Sequence, residues 1–234
     1  MDEIEILARD SFGYGRWDAP VWFIGLEQGG GDNRTRAKAF QTHQSDGLCD
    51  CKNFHDAIGE YRWHGLNGME AELQPTWKRL MMLLGAFCGA ELNNALLLRY
   101  QKELWGREEG QTCAIEIDGL SAKSLSDKDA NHRRLISKYR FNRIAKIRQK
   151  LRHLKPLLVV MYGYSGEKRF QKLTSPTLKL LRGSSVEQER TSFLLIRHPT
   201  DYSSPGNTDD AWKAFGREAR KHTDILSSWP NGIW

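Results

Sequence analysis

Four short apolar runs, each closed by Gly, Pro or a polar residue, constrain this chain more than any other feature: 21–25, 113–117, 157–163 and 193–197. Their length and their branched and aromatic content mark them as strands. Between them, apolar residues recur at helical spacing over 76–88, 92–105 and 207–226, and in a basic segment that stops before Pro156. In the last of these Asn207 is a candidate cap, and Asp209 and Asp210 suit the positive end of the helix dipole. Strands alternating with helices imply a parallel sheet covered on both faces. The expected fold is α/β: a three-layer α/β/α sandwich with a central, mainly parallel four-stranded sheet, in a single domain over 1–234. No repeat, low-complexity tract or interdomain linker interrupts it, and the polar, Gly-rich stretch 41–68 reads as a long excursion from the same domain.

Open parallel sheets bind ligands beyond the carboxyl ends of their strands, so the residues just after each strand carry the functional reading. These are Gly25-Leu26-Glu27-Gln28-Gly29-Gly30-Gly31-Asp32-Asn33, then Asp118-Gly119-Leu120-Ser121, then Gly163-Tyr164-Ser165-Gly166, then His198-Pro199-Thr200-Asp201-Tyr202. A carboxylate and a histidine converge there. The glycine run lacks the Gly-Lys-Ser/Thr of a Walker loop and the G-x-G-x-x-G dinucleotide fingerprint, which disfavours a nucleotide-binding fold.

The basic excess is not evenly spread. Lys and Arg number 35 against 29 acids, a net +6, and the segment 123–155 alone holds twelve basic residues and two acids, leaving the rest of the chain at −4. Within it Ile144, Ile147, Leu151 and Leu154 form an apolar stripe, while Arg143, Lys146, Lys150 and Arg152 occupy other faces. Such a face is either an ordinary solvated surface or one that tracks nucleic-acid phosphates.

The composition, 39% apolar and 27% charged, is that of a globular protein and excludes a disordered or collagen-like chain. The longest stretch of low polarity, 80–90, contains two glycines and is too short to span a bilayer, so no membrane segment is expected. The first ten residues carry acids where a secretory signal is basic, and a cytoplasmic location is expected. Cys49, Cys51, Cys88 and Cys113 are too few for a disulfide scaffold in a chain of this length. Cys49-Asp50-Cys51 has one intervening residue where zinc and redox motifs have two or more, so no metal is expected.

The strings after the first and last strands resemble those of the uracil-DNA glycosylase superfamily. Its first motif reads G-Q-D-P-Y, G-I-N-P-G or a related string, and Gly25-Leu26-Glu27-Gln28-Gly29 places Glu27 at the water-activating position. Its His-Pro-Ser-like second motif is matched by His198-Pro199-Thr200. The resemblance covers most of the chain and implies a DNA glycosylase that leaves an abasic site, needs no cofactor, acts on DNA and has no obligate protein partner. It assigns Glu27 and His198 to catalysis: Glu27 orients or deprotonates water and stabilises the oxocarbenium-like sugar, and His198 donates to an oxygen of the departing base. Phe40, thirteen residues after Glu27, matches the ring that stacks on the extruded base, although it also fits as a core residue of a helix over 34–42. Tyr202, four residues after His198, matches the intercalating side chain. Gly29 and Gly30 allow close approach of backbone to phosphate, and Arg143, Lys146 and Lys150 are candidates for DNA contact.

Departures from the superfamily pattern bear on the base. Gln28 and Asp201 stand where prolines are usual. With Phe40, Gln28 and Asp118 are assigned to base binding, and Asp118 replaces an Asn that reads the carbonyl and imino edge of uracil. Glu116 lies on the same strand face. An ionised carboxylate only accepts hydrogen bonds, so it favours an exocyclic amino group. The expected substrate is therefore a modified base, a cytosine derivative such as the glucosylated base of phage DNA, with a role in phage defence; uracil in base-excision repair is the alternative. Asp118 as a turn cap or ion-pair partner, and a non-catalytic DNA-binding module on the same fold, remain open. The cysteines do not follow the order of the superfamily's iron–sulfur members.

Overall fold

A computed structural model describes residues 2–122, 129–175, 177–203 and 206–221. Its elements are α1 (Glu3–Asp10), β1 (Gly13–Tyr14), β2 (Val21–Gly25), α2 (Asn33–His43), β3 (Gln44–Ser45), β4 (Leu48–Cys49), α3 (Cys51–Ala57), α4 (Pro75–Cys88), α5 (Asn94–Glu103), β5 (Thr112–Glu116), α6 (Ala130–Leu154), β6 (Leu158–Tyr162), α7 (Glu167–Phe170), β7 (Ser185–Gln188), β8 (Thr191–Ile196) and α8 (Asp209–Arg220). Positions 123–128 of the basic segment and 222–226 of the last predicted helix lie outside the described residues.

The four expected strands are β2, β5, β6 and β8, in the order β5-β2-β6-β8 and all parallel. The sheet as a whole is larger than the four-stranded one expected from sequence: it is mixed and, among the described residues, eight-stranded, in the order β3-β4-β1-β5-β2-β6-β8-β7. The additions are at its two edges. β7 pairs antiparallel with β8, and β1 lies antiparallel to β5 and parallel to β4. Strands of two residues, such as β1, β3 and β4, are too short for an alternating pattern to register.

Val21, Trp22, Phe23 and Ile24 are all fully buried, because each face of β2 is covered by helices. Val21 and Phe23 join a core with α2, α3, α4, α5 and α8, whereas Trp22 and Ile24 face Ile144, Ile147 and Leu151 of α6 and Phe170 of α7. Burying side chains of this size contributes roughly 1.5–3 kcal/mol each. Local chemistry sets the helix ends: Pro75 opens α4 and left-handed Gly89 closes it, Asn93 caps α5, and Asp32 caps α2. Thr208, not Asn207, caps α8, since the Asn207 amide is used elsewhere. No helix among the described residues is long and apolar enough to cross a membrane.

The chain leaves β2 for β5 on one side and returns through α6 to β6 on the other. Open α/β sheets bind ligands at the carboxyl ends of their strands where the chain reverses in this way, which here is the end of β2.

Candidate active site at the strand ends

Gly25, Glu116, Tyr162 and His198 meet at this end of the sheet. Gly25 pairs with Glu116 in register, and a Cβ on it would lie 2.4 Å from Glu116 Oε2 and 2.5 Å from Tyr162 Oη. Only glycine lets the two polar side chains close over the end of β2. The Tyr162 hydroxyl donates to Glu116 Oε1 at 2.9 Å, and Glu116 Oε2 is buried without a hydrogen-bond partner. Burial pushes the Glu116 carboxyl up to about 8, and the negative charges of Glu27 and Asp118 add to the effect. At neutral pH it is mostly a neutral acid. Sequence alone showed Glu116 on this strand face; its burial and its tyrosine partner come from packing.

Glu27 stands two residues beyond β2, half-buried, on a loop tied to the chain after β5. Gly29 forms a parallel bridge with Ala122, the Gly30 amide donates to the Ala122 carbonyl at 3.3 Å, and the Ala122 amide donates to the Gln28 carbonyl at 3.2 Å. Asn33 adds three bonds to Ser121. Gly29 is exposed with open space beside it, as a phosphate approach requires, whereas the Gly30 amide is already engaged. The half-buried Gln28 holds its place through its backbone carbonyl.

His198 follows β8 and packs its ring against Tyr162, with centroids 5.6 Å apart. The Thr200 amide donates to His198 Nδ1 at 3.2 Å, and Thr200 Oγ1 lies 3.0 Å from the same nitrogen. A backbone amide cannot accept, so Nδ1 is unprotonated and the neutral ring carries its hydrogen on Nε2. The protein packed around the ring lowers its pKa, which favours this neutral form. The loop is held from behind. Arg79 of α4 donates to the Pro199 and Asn207 carbonyls, and the Asn207 amide donates to the Asp201 carbonyl at 2.6 Å while accepting from Trp212 Nε1 at 2.7 Å. Tyr202, at the tip, is 68% exposed, with the Arg79 guanidinium 5.0 Å from its ring centre.

The other predicted site residues already have partners within the fold. Phe40 lies on α2, but it is buried in the core shared with α1 rather than presented to a ligand, because thirteen residues from Glu27 is two turns into a helix whose inner face packs on Leu7 and Ala8. Asp118 is buried too, and both its oxygens are taken: Arg140 Nε and Nη2 donate to it at 2.8 and 2.9 Å, and Arg169 Nη1 stands 3.6 Å away. It anchors two arginines and is 2% exposed. Arg143 is buried and donates to four backbone carbonyls, of Ile117 (2.6 Å), Glu116 (2.8 Å), Arg9 (3.2 Å) and Ala8 (3.4 Å). Lys146 and Lys150 both pair with Asp46, at 3.0 and 2.6 Å, and lie over the rings of Phe12 and Trp17.

The basic surface of α6 lies on another face. A groove of about 770 Å³ runs along it, lined by Arg140, Arg148, Arg152 and Lys172 and by Phe141, which is 79% exposed. Arg140 belongs to both features, so the groove begins near the strand ends. Among the described residues, the group with metal-ligand spacing is Cys51, His55 and His64, which are not at the strand ends. No protein-family model matches this chain, and no curated protein sequence matches it.

Proposed function

We propose that this protein is a DNA glycosylase, hydrolysing the bond between a modified base and its sugar and leaving an abasic site. The observation that carries the reading is an acid and a donor at the carboxyl ends of two parallel strands that flank β6: Glu27 after β2, and His198 after β8 with its hydrogen on Nε2. Breaking an N-glycosidic bond builds positive charge on the sugar and negative charge on the base. Glu27 answers the first by orienting water and stabilising the sugar, and the neutral His198 answers the second by donating to a base oxygen. Neutral Glu116, with Oε2 uncommitted, is a second donor or acceptor for the base edge.

Docking draws on the arginines. Asp118 neutralises part of the charge of Arg140 and Arg169 while fixing them beside Glu27, and the groove of Arg148, Arg152 and Lys172 continues away from the site as a track for phosphates. Tyr202 is the exposed ring available to fill the gap left by an extruded base.

The base proposed is a cytosine derivative, such as a glucosylated one in phage DNA, and what supports it is the departure from the uracil pattern at Gln28 and Asp201. A second reading, uracil, gains from the commitment of Asp118 to Arg140, since the carboxylate that disfavoured a carbonyl is not free. Duplexes carrying uracil, hydroxymethylcytosine or glucosylated hydroxymethylcytosine, scored for abasic sites, test both. Cleavage of the modified cytosines alone supports the first reading, cleavage of uracil the second, and no abasic product on any of them contradicts the glycosylase itself.

A further inference from the structure

Cys51 opens α3, His55 lies one turn later on the same face, and His64 follows the short 3-10 turn Tyr61–Trp63. All three are buried, and their donor atoms form a tight triangle: Cys51 Sγ to His55 Nδ1 3.4 Å, Cys51 Sγ to His64 Nε2 3.8 Å, and Nε2 to Nδ1 3.3 Å. Zinc bonded tetrahedrally to nitrogen at about 2.0–2.1 Å and to sulfur at about 2.3 Å spaces its ligands about 3.3–3.6 Å apart. The triangle has the dimensions of one face of that tetrahedron.

Hydrogen bonding alone leaves this cluster poorly served. His55 Nδ1 lies 2.7 Å from the Cys51 carbonyl, which accounts for one proton, while His64 Nδ1 is buried without a partner. Two imidazoles and a thiol are turned toward one another in an apolar setting, with the Tyr14 and Trp77 rings 5.2 and 5.4 Å from His55 and Trp77 6.1 Å from His64. One thiol and two imidazole nitrogens brought this close at one buried point make up a zinc donor set.

We propose that Cys51, His55 and His64 bind one zinc ion. One soft thiolate and two imidazoles suit zinc, and the set lacks the oxygen donors of a magnesium or calcium site. On binding, the Cys51 thiol releases its proton to solvent and forms the Zn–S bond; the His55 proton moves from Nδ1 to Nε2, freeing Nδ1 to coordinate. Three protein donors leave the fourth corner to a water molecule. Because His64 follows a loop and Cys51 and His55 belong to a helix, the ion fastens the excursion after α3 to α3 itself. The site is independent of the glycosylase reading.

The test is the metal content of the full-length protein purified without chelator, together with cobalt substitution. Wild type is expected to hold about one zinc per chain, Cys51→Ser and His64→Gln to lose most of it, and Cys88→Ser to keep it. Cobalt added to the stripped wild type should give the visible bands of a tetrahedral site and a thiolate-to-cobalt charge-transfer band, a readout that needs no variant to fold. Wild type without zinc that also fails to take up cobalt, stoichiometric copper in place of zinc, or equal metal loss in Cys88→Ser would each overturn the proposal.

Discussion

A side chain at position 25 would have to share space with Glu116 Oε2 and Tyr162 Oη, both within 2.5 Å of where its Cβ would lie. Gly25→Ala should therefore cost about 1–3 kcal/mol as the site is forced apart, read as a lower urea midpoint. Glu116 offers a second residue-scale test. Its folded-state pKa of about 8 exceeds the ordinary 4.5, so the folded protein binds more protons than the unfolded chain between those values, and stability falls as pH rises through that window. Glu116→Gln keeps an acceptor for Tyr162 and has no charge to bury. Relative to wild type it should gain stability from pH 5 to pH 8, on the order of a few kcal/mol, and thermal melts across that range should diverge; parallel melts would contradict the assignment. His198 was legible because a His-Pro-Thr string ends a strand, and its tautomer follows from a neighbour two residues away. For Asp118 the ion-pair alternative is the one the fold realises, and its partner was not legible because Arg140 lies on a different element.

At the scale of elements, α6 shows what periodicity gives and what it leaves out. Ile144, Ile147 and Leu151 were visible as its apolar stripe, but Ile136, Tyr139, Arg143, Ile147 and Leu151 follow one another at three- and four-residue steps, and all are buried. Arg143 sits inside that stripe. Reading it as solvent-facing let residue type override position, whereas the long stem packs like a hydrophobe and the guanidinium saturates carbonyls at the ends of β5 and α1. Arg143→Ala should thus behave as a core variant, losing roughly 3–5 kcal/mol by analogy with breaking a buried charged network, measured by chemical denaturation. Replacing Arg148 and Arg152 together by Gln should leave the melting temperature within a few degrees, weaken DNA binding and flatten its salt dependence by about two charges. Lys146 and Lys150, occupied by Asp46, should alter that slope little; a larger effect from this pair than from Arg148 and Arg152 would move the phosphate track back to the other face of α6.

Over the whole molecule, the four parallel strands were legible because each is a closed apolar run, and their alternation with helices gave the parallel centre of the sheet. The edge strands were not: β1, β3 and β4 have two residues each, too few to carry a period, and the four residues of β7 are largely polar. The excursion over 41–68 drew attention for Cys49 and Cys51, while the partners that Cys51 finds in the fold are His55 and His64, four and thirteen residues further along. The strand ends, the arginines fixed by Asp118 and the groove along α6 form one surface on which a base could be extruded and cut. Single-turnover cleavage of a duplex carrying a modified cytosine or uracil, compared between wild type and Glu27→Gln, tests this most directly. The account predicts abasic product from wild type and a loss of roughly 10²–10⁴-fold in rate for Glu27→Gln with DNA binding retained. No abasic product from wild type, or a variant that cuts at the wild-type rate, would contradict it.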